Sequence, residues 1–184
     1  MGSDKKGEKI NLRSGNISIS LNSYDYLFSD FDPRDYSERT LSEDFIEECR
    51  SAAREKKEKI ELIFLCPKHK RNIKDEVKIK RRIKEYFIYN LKEENETRKK
   101  IRRDGFFWFL MGAIVMILAT LLAGKTNFFL KFLEIMAIPA SWFLFWEGLN
   151  KVLITSRERL SDYNFYKKMS EANIIFADYW FDID

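Results

Sequence analysis

Two cysteines and one histidine are the only thiol and imidazole groups in the 184 residues. Cys66 and His69 stand three apart, a spacing that suits metal ligation. A structural zinc site wants four ligands, however, and only Cys49 remains as a further soft donor. A Cys–His nucleophile needs an Asn or Asp to orient the imidazole, and none is identifiable here. Loops that cradle phosphate need closely set glycines, and the seven glycines fall into no such motif. Asp30, Asp32 and Asp35 approach the density of a cation site but lack the other ligands and the glycine of a calcium loop. The chain is therefore expected to be no enzyme, with no metal site and no cofactor.

What remains are charged surfaces. Asp30, Asp32, Arg34, Tyr36 and Arg39 mix both signs with an aromatic ring, which suits either a small ligand or partner surface or a lid packed on a sheet edge. Farther on, Lys68, Lys70, Arg71, Lys74, Lys78, Lys80, Arg81, Arg82 and Lys84 form a basic patch with only two acids among them. Such a patch can neutralise phosphates. Beside a membrane anchor it fits the anionic inner-leaflet lipid surface or a solvated helix face, with a protein partner next and nucleic acid unfavoured. The acid-rich stretch Ser23–Glu48 is an alternative counterpart within or between chains.

The membrane anchor is read from hydropathy. Phe106–Gly124 carries no charge over 19 residues. At about 1.5 Å per residue it would be roughly 28 Å long as a helix, matching a bilayer core of about 30 Å. Phe128–Leu149 is the second span, with an uncharged centre of 12 residues from Ile135 to Trp146. Lys131 with Glu134, and Glu147 with Lys151, place opposite charges one turn apart at its two ends. Lys131, Glu134 and Glu147 are thus the polar residues of the spans and the candidates to line a pore. Gly105, Gly112 and Ala119 recur every seven residues, and Ala119 with Ala123 makes a small-xxx-small pair. That stripe admits a closely packed helix, so a homo-oligomer is expected.

Orientation follows from basic flanks. Arg98, Lys99, Lys100, Arg102 and Arg103 precede the first span, whereas Lys151, Arg157, Arg159, Lys167 and Lys168 follow the second. Lys125 alone stands between the spans. Under the positive-inside rule both termini are cytoplasmic, in the plasma (cell) membrane. Met1–Ser14 is polar, so no cleaved leader is expected.

The remaining segments supply the cytoplasmic part. Asn16–Leu21 alternates as a strand, and Lys59–Cys66 ends in a short apolar run stopped by Pro67, read as a buried strand. Thr40 with Glu43 suggests a capping box for a helix through Leu41, Phe45, Ile46, Cys49, Ala52 and Ala53. A second helix from Ile73 sets Ile73, Val77, Ile83, Phe87 and Leu91 broadly on one face. It is expected to continue as a polar stalk into the first span. After the second span, Arg157–Ala172 reads as helix and Asn173–Ile183 as a last strand.

The expected fold is a cytoplasmic α/β (α+β) domain with an inserted two-helix transmembrane hairpin. Its parts are a flexible 1–15, a domain at 16–91, a stalk at 92–104, a hairpin at 105–154, and a helix and strand at 155–184 completing the sheet. The segments SDFDPRDYSER (Ser29–Arg39) and WFLFWEGL (Trp142–Leu149) resemble a group of small prokaryotic two-span membrane proteins. The resemblance implies the layout and no activity. The function expected is a membrane-bound interaction or sensing module, and the alternative is an oligomeric pore gated by its cytoplasmic domain.

Overall fold

The computed structural model describes residues 16–55, 60–124 and 126–179. Expectations for 1–15, for Lys59, for the turn residue Lys125 and for 180–184 lie outside these. The chain is mostly helical with a small parallel sheet. It divides into two compact units, one of Met1–Tyr89 and Phe165–Asp184, the other of Asn90–Asn164.

In the first unit, β1 (Asn16–Ser20), β2 (Glu61–Pro67) and β3 (Asn173–Tyr179) form a parallel sheet in the order β1-β2-β3. Ile17, Leu62 and Ile174 align across it, as do Ile19, Phe64 and Phe176. Alternation along a strand puts these on one face. They join Phe45, Cys49 and Ala53 of α1 (Glu43–Glu55), Ile79, Ile83 and Phe87 of α2 (Ile73–Leu122), and Phe165 and Met169 of α5 (Leu160–Glu171) in one apolar core. Ile63, on the other face of β2, is also buried.

Two local readings are corrected. The cap of α1 is Ser42, whose Oγ accepts from the Phe45 N–H at 3.1 Å. Thr40 instead sends its N–H to Asp32 Oδ2 at 2.8 Å, so no capping box forms. Helix α2 (Ile73–Leu122) also presents a different face. Ile73 and Val77 are exposed, and Glu76, Ile79, Ile83 and Phe87 are buried. The strand surface selects that rotation of the helix, and apolar spacing allowed either one.

Helix α2 is continuous for 50 residues through the polar segment, with Gly105 in its interior. It stops where Gly124 adopts φ +82°, a left-handed conformation that suits a residue without Cβ. Asn127 then caps α3 (Phe128–Asn150), accepting from the Phe129 N–H at 2.9 Å. A π-helical turn (Lys151–Thr155) and a short α4 (Ser156–Glu158) lead to α5 (Leu160–Glu171), so the helix expected over 157–172 is interrupted at Arg159. Both α2 and the α3–α5 stretch contain windows long and apolar enough to cross a membrane, judged by length and composition.

Candidate functional site

Parallel strands bring their C-terminal ends to one edge, the place where open α/β sheets present binding residues. Here that edge holds a closed polar network. Arg71, just after β2, grips Glu76 of α2 with Nε to Oε1 at 2.7 Å and Nη2 to Oε2 at 2.9 Å. Its Nη1 reaches Asp178 of β3 at 2.6 Å. The Tyr24 hydroxyl donates to Glu76 Oε1 at 3.0 Å and accepts from the Asn72 N–H at 3.1 Å. Glu76 is only 5% exposed, and the planar guanidinium fork matches its two oxygens.

Burial pushes the Tyr24 phenol up to about 12 and the Cys66 thiol up to about 11. The hydrogen bonds that Arg71 donates to Glu76 and then to Asp178 raise its pKa against its desolvation. Neither a thiolate nor a phenolate is available there at neutral pH. The network is suited to locking the first turn of α2 to the β1 loop and β3. Arg71 was legible as one of the basic residues, whereas Tyr24, Glu76 and Asp178 were not singled out. An acid one turn ahead of Ile79, Ile83 and Phe87 was the available signal for Glu76.

The mixed-charge loop is stapled from within. Asp32 accepts from Arg34 Nε at 2.9 Å and Nη2 at 2.7 Å, as well as from Thr40 N–H. These hydrogen bonds, led by Arg34, hold its carboxyl far below the ordinary carboxylate range. Asp25 gathers Ser23, Arg39 and Tyr36, and the Ser23 hydroxyl followed by Arg39 lowers its pKa. Arg39 also donates to the Ser29 carbonyl, and Tyr36 packs its ring on Phe28 at 5.3 Å. Asp30 is exposed and makes no such bond among the described residues. Sequence reasoning passed over Tyr26 and Phe31, yet this hydrogen-bonded loop displays them 66% and 98% exposed.

The loop sits on α2 through residues counted in the basic patch. Lys78 pairs with Asp35 at 2.9 Å, and Arg82 Nε donates to the Arg39 carbonyl at 2.9 Å. Lys70 reaches the Asn22 carbonyl, Lys80 lies over the Phe176 ring, and Arg81 pairs with Glu85. Lys68, Lys74 and Lys84 are exposed and form no ion pair among the described residues. The patch is therefore partly a set of intrachain ties. No group of three or more His, Cys, Asp or Glu among the described residues is placed to hold a metal ion.

In the second unit the glycine stripe meets α3 and the turn that follows it. A Cβ at Gly112 would lie 2.7 Å from Phe145 N and 2.9 Å from Ser141 O, and one at Gly105 would lie 2.8 Å from Val152 Cγ2. Gly148, which sequence reasoning missed, is tightest, with Phe109 N at 2.5 Å from the same construction. Its signal was the seven-residue step from Ser141, the spacing that also separates Gly105 and Gly112. Ala119 is buried, while Ala123 lies past the end of α2 and is exposed.

Glu147 pairs with Lys151 at 2.9 Å, and the Lys151 ammonium lies over Trp108. Lys131 is exposed and Glu134 half-buried, and the two are not paired. Neither has a partner among the described residues. Toward the other end of this unit, buried Glu94 meets Arg159 at 3.5 Å, and Arg98 stacks on Tyr163.

Comparison with protein-family models, with curated proteins and with solved structures returns no match.

Proposed function

We propose that the protein is an integral membrane protein anchored by the α2–α3 hairpin, with a non-catalytic cytoplasmic interaction or sensing unit. The observation that carries the anchoring is exposure. Of the most apolar windows of the two long helices only 17% and 6% is buried, and side chains such as Ile117, Leu121, Phe132 and Ile138 stand open. A core helix of a soluble domain would be covered, and an open apolar surface of this size calls for lipid. The basic flanks support a cytoplasmic position for both ends of the hairpin. The pairing of β2 with β3 from either side of it agrees, since two crossings return the chain to the same side.

The stapled loop supports the interaction reading. An aromatic side chain displayed on a preorganised surface is the usual anchor of a protein contact, because little entropy is lost when it docks. Phe31 fills that description. The loop rests on α2 through Lys78 and Arg82.

The test has two arms. Alkaline carbonate washing should leave the protein in the membrane pellet, and release into the supernatant would end the anchoring proposal. A photo-crosslinking residue placed at Phe31 in native membranes should give a discrete adduct that Phe31→Asp abolishes. Absence of any adduct, combined with turnover of a metabolite by the purified protein, would overturn the interaction reading.

A further inference from the structure

The sequence offers the glycine stripe for contact between copies, but α3 and the following turn of the same chain occupy it at Gly105 and Gly112, with Gly148 of α3 seated against Phe109 and Gly105 in return. Association between copies then needs another surface. We propose that two copies of this chain pair through the first turns of α3, with Lys131 of each copy bound to Glu134 of the other. This inference rests on the membrane reading above and names the partner and contact of the same hairpin.

Three observations meet at this place. Lys131 and Glu134 lie in a helix otherwise uncharged until Glu147, and neither has a partner among the described residues. An ionisable side chain in a span is costly unless it pairs or reaches water, so two unpaired charges of opposite sign mark an incomplete contact. The surrounding surface is apolar and open, with Phe128 88%, Phe132 53% and Ile135 58% exposed.

Geometry makes the patch self-complementary. Residues three apart in a helix are neighbours on its surface, separated by a rise of about 4.5 Å. A two-fold axis along the membrane normal sets residue i of one copy against j of the other, and j against i. Each pair then spans only that small difference in depth, which the four-carbon stem of lysine covers. Both charges are neutralised twice, and the phenylalanines on either side pack between the copies.

Charge exchange between copies tests this in lipid vesicles, with self-association followed by energy transfer between labelled chains. Lys131→Glu and Glu134→Lys should each weaken self-association by about tenfold or more, since like charges then face each other. Mixing these two variants should restore hetero-association to about the wild-type level, because opposite charges face again across the axis. A mixture no stronger than its parts, or single variants that associate as wild type, would overturn the proposal.

The double variant Lys131→Glu/Glu134→Lys keeps the composition of the helix and guards against failed insertion of the single ones. It should associate with itself and not with wild type, and free mixing with wild type would count equally against the contact. Resistance to carbonate extraction is measured on every variant. Extraction of the wild type rejects the membrane reading itself, whereas a retained protein that ignores the exchanges rejects only the contact.

Discussion

Gly148→Ala is the sharpest test of how the hairpin is held. The added Cβ would lie 2.5 Å from Phe109 N, 2.7 Å from Gly105 O and 2.8 Å from Phe109 Cα, all of them backbone atoms. Ordinary contact begins at 3.4 Å, so the two helices must part by 3.4 − 2.5, or 0.9 Å, around this point. A gap of that size forfeits about a quarter to a half of each dispersion contact nearby. Overpacking of this kind costs about 1–3 kcal/mol, and rigid backbone on three sides puts it at the upper end. Alanine recovers about 1 kcal/mol of helix propensity over glycine, leaving a net loss of about 2 kcal/mol.

Gly112→Ala, with its nearest backbone atom at 2.7 Å, should lose slightly less. Gly105→Ala should lose least, because its closest contact, Val152 Cγ2 at 2.8 Å, is the longest of the three nearest contacts. The assay is reversible unfolding in mixed micelles with increasing dodecyl sulfate, followed by tryptophan fluorescence in a Trp180→Phe background so that Trp108, Trp142 and Trp146 of the hairpin report. The control is Leu118→Ala, since that side chain is 54% exposed and its change should be near neutral in lipid. Equal stability of Gly148→Ala and wild type, or the reverse order among the glycines, would refute the close contact.

Arg71→Met should destabilise the protein by about 2–4 kcal/mol, as it strands the buried Glu76 carboxylate while a quarter of the arginine was open to solvent. Thermal unfolding checks this, and adding Glu76→Met should recover part of the loss. Cys49 and Cys66 are buried, with burial pushing their thiols up to about 12 and about 11, so neither should react with maleimide at pH 7.5 until denaturant is added. Mass spectrometry counts the adducts. The loop should loosen in acid: Asp35 is lowered from 3.8 to about 2, first by Lys78 and then by Ser37, so its stabilisation is complete at neutral pH. It is lost as pH falls through that interval, and Asp35→Asn should flatten the stability slope there.

The sequence by itself determined the elements whose signal is local. NISIS and ELIFLCP became strands because alternation and a short apolar run are properties of adjacent residues. The two apolar helices were likewise written in uninterrupted composition, and the absence of a breaker between Lys92 and Lys100 let α2 continue. Tertiary structure decided which residue meets which. Rotation of α2 about its axis depended on the sheet it packs against, so Glu76 was buried while Ile73 and Val77 were left outside. Arg71 and Asp178 are joined across 107 residues, a pairing that no local pattern encodes. The glycine stripe was visible from its period, but its occupant was not, because a period describes one helix face and not the surface that fills it. The physical division lies there: backbone propensity and hydropathy act along the chain, whereas hydrogen-bond partners and close contacts exist only once distant segments have met.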